Sequence, residues 1–283
     1  MIIKNRRLTN FAKLVETGEC RKFTGELRVG VDLGTSNTVL AVVDKTNKPV
    51  AGITAPSHAI QDGVIVNYRD CVKVVEKLKA ELEERLGVEL KYAAAAIPPG
   101  VSKGSIKAIG HVVEDAGFQI CNIVDEPTAA AAVFDIKDGA VVDVGGGTTG
   151  VSIIKDGKII YTDDEATGGT HMTHTVAGHF KIPYEEAEVF KIDKKNEKEV
   201  FPVIKAVVEK MASITKKFIE GHDVPAVYVA GGSSNFEDFS QVFENWIKIP
   251  VHKPEHPLLV TPLGIAYLCE IPEEEKKENK ESK

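Results

Sequence analysis

Residues 141–154 read VVDVGGGTTGVSII, a pattern that leaves the backbone few options. β-branched residues on both sides of Gly145, Gly146 and Gly147 specify two strands joined by a tight turn, because glycine takes positive φ freely and lets another group reach the backbone. Successive amide N–H groups in such a turn point into one concavity that suits an anion, and the hydroxyls of Thr148 and Thr149 add donors. Asp143 ends the incoming strand and faces the same space. A carboxylate beside phosphate is repelled unless a cation separates them, so Asp143 implies Mg²⁺ held through water. Taken alone, the segment also fits an ordinary hairpin with a flexible tip.

A second copy shifts the balance. Residues 29–38, VGVDLGTSNT, repeat the plan of apolar strand, aspartate, glycine turn, hydroxyl residues and renewed strand. Two halves of similar design are expected, offering Asp32 and Asp143 with their backbone donors to one nucleotide from opposite sides.

The 283 residues suffice for one large domain or two modest ones. A net charge of −7 argues against nucleic-acid or anionic-membrane partners. Neither a signal-peptide pattern nor an apolar run of membrane-spanning length occurs, so a soluble, cytoplasmic chain is expected. Cys20, Cys71, Cys121 and Cys269 form no CxxC pair, which disfavours a zinc site or a disulfide framework and favours buried free thiols.

Residues 1–25 place Leu8, Phe11, Leu14 and Val15 at helical spacing, an amphipathic arm packed on the body. Beyond the first hairpin, an apolar segment at 50–54, a turn at Asp62-Gly63, helices ended by Gly87 and Gly117, and strands at 92–97 and 120–124 give the order βββ, then αβαβ. In DEPTAAAA, 125–132, Pro127 suits the first turn of a helix whose alanines admit a close helix crossing between lobes. Glu126 is stabilised there by the helix dipole, and equally suits orienting a water towards a γ-phosphate.

The second half repeats the plan with strands at 140–144, 149–155 and 158–163. Gly168-Gly169 turns into a helix, a position near ribose or phosphate. His171 and His174 lack a zinc-binding spacing and read as packing or capping residues. Glu188 and Lys191 share a helix face, as a surface ion pair would. A long amphipathic helix spans Val200 to Phe218, and the strand 224–230 runs straight into Gly231-Gly232-Ser233, where an α/β sheet places its ligand. The tail 271–283 is expected to be disordered and charged.

These segments together resemble the superfamily of actin, sugar kinases and DnaK-type heat-shock ATPases. VGVDLGTSNT is similar to its first phosphate segment, VVDVGGGTTG to its second and DEPTAAAA to its first connecting helix. VAGGSSN (229–235) is similar to the adenosine segment and TPLGIAYL (261–268) to the second connecting helix. QDGVIVNY (61–68) resembles a segment of bacterial actin-like proteins. DEATGGTH (164–171), EEAEVFK (185–191) and the short length resemble most closely a family of ethanolamine-utilisation proteins described as chaperonin-like.

The resemblance implies an α/β, two-lobed actin-like ATPase fold, a duplicated ribonuclease H-like domain with a nucleotide cleft between lobes. Its divisions are an arm (1–25), a first lobe (26–135, completed by 260–270) and a second lobe (136–259). It implies ATP and Mg²⁺ as cofactors and hinge closure at the connecting helices. By motif match, Asp32 and Asp143 hold hydrated Mg²⁺ and Glu126 positions the attacking water. Gly34, Thr35, Ser36, Gly145, Gly146, Gly147 and Thr148 cradle phosphates. Gly169, Glu188, Lys191, Gly231, Gly232 and Ser233 contact the nucleoside.

Three departures bear on activity. Gly150 stands where DnaK-type proteins carry a further aspartate, so slow hydrolysis or binding without turnover is expected. Asn235 replaces an arginine that stacks on the base. The body ends shortly after TPLGIAYL, so a peptide-binding domain of the DnaK kind is not expected. The leading reading is an ATP-dependent, chaperone-like switch that assists assembly or maintenance of ethanolamine-degrading enzymes, its partners, within the cytoplasm or a protein-shelled microcompartment. An actin-like filament or scaffold, a small-molecule kinase, and a reactivating factor for a cobalamin-dependent lyase stay open.

Overall fold

The computed structural model describes residues 2–57, 59–61 and 64–272. Along the chain run β1 (Ile2–Ile3), α1 (Arg6–Thr17), β2 (Leu27–Leu33), β3 (Asn37–Asp44), β4 (Pro49–Pro56), β5 (Ile60–Gln61) and β6 (Val64–Ile65). There follow α2 (Tyr68–Leu86), β7 (Tyr92–Ile97), α3 (Lys103–Asp115), β8 (Gln119–Asp125) and α4 (Glu126–Phe134). The second stretch holds β9 (Gly139–Val144), β10 (Thr149–Lys155), β11 (Lys158–Glu165), α5 (Gly169–Phe180), α6 (Tyr184–Ile192) and α7 (Glu197–Ile219). It closes with β12 (Val227–Ala230), α8 (Phe239–Ile247), β13 (Val251–Pro254) and α9 (Val260–Tyr267). Of the described residues, those within 5–135 and 259–272 form one compact unit, and those within 2–4 and 136–258 the other. The turn read at Asp62-Gly63 and the tail beyond Pro272 lie outside the described residues.

The unit that begins at Asn5 is built on a five-stranded sheet of order β4-β3-β2-β7-β8. β2 to β4 form an antiparallel meander, and β7 and β8 run parallel to β2. Strand alternation assigns the two faces. Val29, Val31, Ala93 and Ala95 meet Val75, Leu78 and Leu82 of α2 and Ile109, Val112 and Val113 of α3. Tyr92, Ala94 and Ala96 on the other face meet Ala129 of α4 and Ile265 of α9. Gly87 ends α2 in the left-handed conformation at φ 68°, the role its spacing predicted.

The alanines of α4 do admit a helix at close range, and that helix is α9 of the same unit. A Cβ on Gly264 would overlap the Ala129 backbone, and one on Gly30 would lie 2.5 Å from the Ala266 amide nitrogen. Backbone therefore sits on backbone along this face. The N-terminal helix α1 is capped by Asn5, whose side chain accepts from the Arg7 and Leu8 amides, and ends at Gly18, φ 70°. It packs on β4 through Phe11, which is wholly buried and fills the space a Cβ would take at Gly52. Burying Leu8 and Phe11 contributes roughly 1.5–3 kcal/mol each.

The other unit repeats the plan on a six-stranded sheet of order β1-β13-β12-β9-β10-β11. β9, β10 and β11 form the antiparallel meander, while β12 runs parallel to β9. β13 and then β1 continue the parallel side. Val142, Val144, Val151 and Ile153 face a core filled by Met172 of α5, Ile204, Val208 and Met211 of α7, and Phe239 and Phe243 of α8. In both sheets the strand carrying the aspartate is central, with its meander on one side and parallel strands on the other. The duplication read from two hairpins thus extends through both sheets.

Candidate functional site

In the six-stranded unit the predicted site residues gather at the carboxyl ends of β9 and β12. The turn 145–148 closes with the Gly145 amide donating to the Thr148 carbonyl at 3.0 Å. Its carbonyls are held from behind. Gly169 N donates to Gly145 O at 3.0 Å and Thr170 N to Gly146 O at 2.8 Å, and Ser233 Oγ donates to Gly145 O at 2.7 Å. The Thr149 hydroxyl donates to Thr167 O at 2.6 Å. Two separated segments, 167–170 and the one carrying Ser233, are thereby fastened to one turn. Among the described residues, none accepts from the amides of Gly146 and Gly147, which leaves the anion-facing donors of such a turn available.

The structure corrects the reason for the glycines. Gly145, Gly146 and Gly147 do not adopt positive φ, whereas Gly231 does, at φ 86°. Close approach is demanded instead of the glycines packed around the turn, Gly168, Gly169 and Gly231. A Cβ on Gly168 would lie 2.6 Å from the Gly146 carbonyl oxygen, and one on Gly231 would overlap Asp143 Oδ1 and the Val144 carbonyl. A Cβ on Gly169 would overlap the Ser233 hydroxyl. Asp143, 6% exposed, pairs across the sheet with Gly150 of β10 and Ala230 of β12, which places it at the centre of this cluster.

Beside it lies a small polar network. Lys191 Nζ donates to Gly169 O at 3.1 Å, to Thr173 Oγ1 at 2.7 Å and to Glu188 Oε2 at 2.7 Å, while the Thr173 hydroxyl also bonds Glu188. The pair expected on a surface is therefore inside: Lys191 is 7% exposed. Burial pulls the Lys191 ammonium below its ordinary range, and the Glu188 carboxylate opposes that shift. His171 Nδ1 accepts from Gly168 N at 3.3 Å and the His174 ring packs on Tyr184, capping and packing roles. Sequence reading missed Lys253 of β13, a buried residue whose Nζ donates to Ser234 O at 3.1 Å and to Phe236 O. It braces from below the segment that carries Gly231, Gly232 and Ser233.

In the five-stranded unit, Asp32 lies near the carboxyl end of β2, opposite Val39. Glu126 follows the carboxyl end of β8 as the first residue of α4. Parallel pairing through β7 sets these carboxylates on one sheet edge, two strands apart, on the order of 10 Å of sheet width. The cap of α4 is made by Asp125, whose Oδ1 accepts from Thr128 N at 2.9 Å, so capping does not account for Glu126. Gly34, Thr35 and Ser36 form the turn after β2. Gly34 N donates to Asn37 O at 3.0 Å and Ser36 O accepts from Ser57 N at 3.1 Å. A Cβ on Gly34 would lie 2.8 Å from Asn37 O.

No group of three metal-ligating side chains occurs among the described residues. A magnesium ion that keeps most of its waters needs only one or two carboxylates, a requirement that Asp143 meets in its unit and Asp32 in the other. No described helix is long and apolar enough to cross a membrane.

Residues 140–264 match the family model for the cell division protein FtsA. The chain is 40% identical over 241 residues to the ethanolamine utilization protein EutJ of Salmonella typhimurium, covering 85% of each. The crystal structure of EutJ from Carboxydothermus hydrogenoformans superposes with a TM-score of 0.89 at 45% identity, covering 93% of this chain and 97% of that one. MreB 5 of Spiroplasma citri, bound to AMPPNP, superposes with a TM-score of 0.72 at 16% identity, covering 92% and 99%. Strand order, the paired glycine hairpins and this degree of identity lead to one conclusion: the chain belongs to the EutJ family of ethanolamine utilization proteins and has the actin-like ATPase fold.

Proposed function

We propose that the chain binds ATP with Mg²⁺ and acts as a chaperone-like nucleotide switch, a weak ATPase at most, that assists assembly or maintenance of ethanolamine-degrading enzymes. The observation behind this reading is the convergence on the turn 145–148, next to Asp143, of Gly168-Gly169 with the Lys191–Glu188 pair behind it and of Gly231 to Ser233. Two donors from distant segments share the Gly145 carbonyl, which holds the turn without using its amides. A same-fold neighbour, MreB 5, bound to AMPPNP lends the reading further support.

Each residue has a part. The amides of Gly146 and Gly147 with Thr148 receive phosphate oxygens, as Gly34, Thr35 and Ser36 do by motif match. Asp143 would hold hydrated Mg²⁺, as Asp32 would by motif match, and the ion would supply neutralisation of phosphate charge. Gly169, Gly231, Gly232 and Ser233 form the backbone floor for the nucleoside, whose hydroxyls suit the polar Glu188 and Lys191 side chains. Glu126 orients a water by accepting a hydrogen bond from its O–H. Family membership supports the further part of this proposal, that the chain works on ethanolamine-degrading enzymes in the cytoplasm or a microcompartment.

Calorimetry with ATP and Mg²⁺ on the wild type and on Asp143→Ala tests the site. Magnesium-dependent binding that is lost in the variant is expected. A wild type with no such binding removes the reading.

A further inference from the structure

Two of the four cysteines, far apart in sequence, meet in the fold. Cys121 lies on β8, the edge strand of its sheet. The register against β7 slips there: Ala93 pairs with Ile120 and Ala94 with Asn122, so Cys121 is the extra residue of a β-bulge. A bulge re-aims its side chain, and this one packs against the apolar cluster that includes Cys269, just past the end of α9. Neighbouring contacts fix the approach. Asn122 Nδ2 donates to Leu268 O at 3.3 Å, and Arg28 Nη1 donates to Tyr267 O and Cys269 O, both at 3.4 Å. Both sulfurs adjoin the apolar cluster of Tyr92, Ala94, Ala129 and Ile265. Cys20 and Cys71 pack in the cluster on the opposite face of the sheet.

The two thiols are unequal. Cys121 is half-buried, at the sheet edge, whereas Cys269 is fully buried. The neighbouring Cys269 thiol draws the Cys121 thiol below its usual range, while Cys121 and burial push Cys269 up. That is the division between an attacking thiolate and a resolving thiol.

We infer that Cys121 and Cys269 are a redox-sensitive pair, convertible by a low-molecular-weight disulfide such as oxidised glutathione into an intramolecular disulfide that pins the segment after α9 to β8. The Cys121 thiolate attacks one sulfur of the reagent, breaking its S–S bond and expelling one thiolate. Cys269, after losing its proton, attacks the Cys121 sulfur of the mixed disulfide and expels the second. The two cysteines lose two electrons and two protons, and the reagent is reduced to two thiols.

The test is exposure of the purified chain to oxidised glutathione, followed by peptide mapping by mass spectrometry without reduction. Expected is a linked peptide pair joining Cys121 to Cys269 with no glutathione retained, reversed by dithiothreitol and preserved in the Cys20→Ser/Cys71→Ser double variant. Cys269→Ser should trap a glutathione adduct on Cys121. A lasting adduct on Cys121 of the wild type, a link through Cys20 or Cys71, or no reaction overturns the inference.

Discussion

Gly231 is pressed against Asp143 so closely that a Cβ on the glycine would overlap the aspartate Oδ1 and come within 2.5 Å of the Val144 carbonyl carbon. The glycine also holds φ 86°, a conformation that costs an L side chain energy whatever the space. Gly231→Ala thus suffers twice, and its strain is released by moving Asp143. A loss of about 2–4 kcal/mol in stability is expected from backbone strain and overpacking together, read by urea unfolding. On the proposed function, magnesium-dependent ATP binding weakens further than global stability explains.

Lys191 ties Gly169, Thr173 and Glu188 together from a buried position. Lys191→Met keeps the stem and deletes the cation, leaving Glu188, itself 28% exposed, without its charged partner. The expected cost is about 2 kcal/mol, below that of a fully buried pair because Glu188 keeps some water. A double-mutant cycle with Glu188→Gln should return a coupling of about 1 kcal/mol. Additive losses would show that the two side chains act apart.

The duplicated plan was legible because its signals are local: alternating β-branched runs, glycine stops at Gly87 and Gly117, and the aspartate before each turn. The family's segment order then carried the fold class. Helix α8 was overlooked although Phe239, Val242, Phe243 and Ile247 follow the helical period and are buried. The short strand β13 gives almost no local signal. It is a strand because β12 and β1 flank it, and its buried Lys253 looks like a surface residue in sequence. The Lys191–Glu188 pair read as exposed for the same reason, since helix spacing says which residues share a face but not what covers it. Gly231 was found, yet its need for positive φ is visible only in the fold.

Lys253 makes stability depend on pH in an unusual direction for a lysine. Burial lowers its ammonium to about 8 from an ordinary 10.5, with Lys194 acting the same way and Glu197, Glu237 and Asp238 opposing. Between these values the unfolded chain binds more protons than the folded one, so this residue's contribution to stability rises with pH across the window. Below about 8 both states are charged, and the burial penalty is present in full. A neutral amine still has two N–H groups for the Ser234 and Phe236 carbonyls. Chemical denaturation across the window should show the wild type gaining stability relative to Lys253→Met. Parallel curves would assign the pH dependence elsewhere.

Gly150 occupies the place of the aspartate that DnaK-type proteins carry, and its neighbours define what a carboxylate there would meet. It stands directly opposite Asp143 of β9 and Asp164 of β11, so a side chain at 150 points to the same sheet face as both. Asp164 already titrates above its ordinary range through burial, with Asp163 adding to the shift. In Gly150→Asp the new carboxylate lies between two others on a buried strand, and like charges directly opposite destabilise by about 0.2–1 kcal/mol each. A variant without divalent cation should therefore unfold more easily by about 1–2 kcal/mol. Mg²⁺ opposes that repulsion, so the deficit should shrink as Mg²⁺ is added. With ATP present, phosphate release should rise at least about tenfold, roughly 1.4 kcal/mol of transition-state stabilisation. A cation-insensitive loss of stability with unchanged phosphate release would show that Asp143 does not address a magnesium ion and that a carboxylate missing at 150 does not limit turnover.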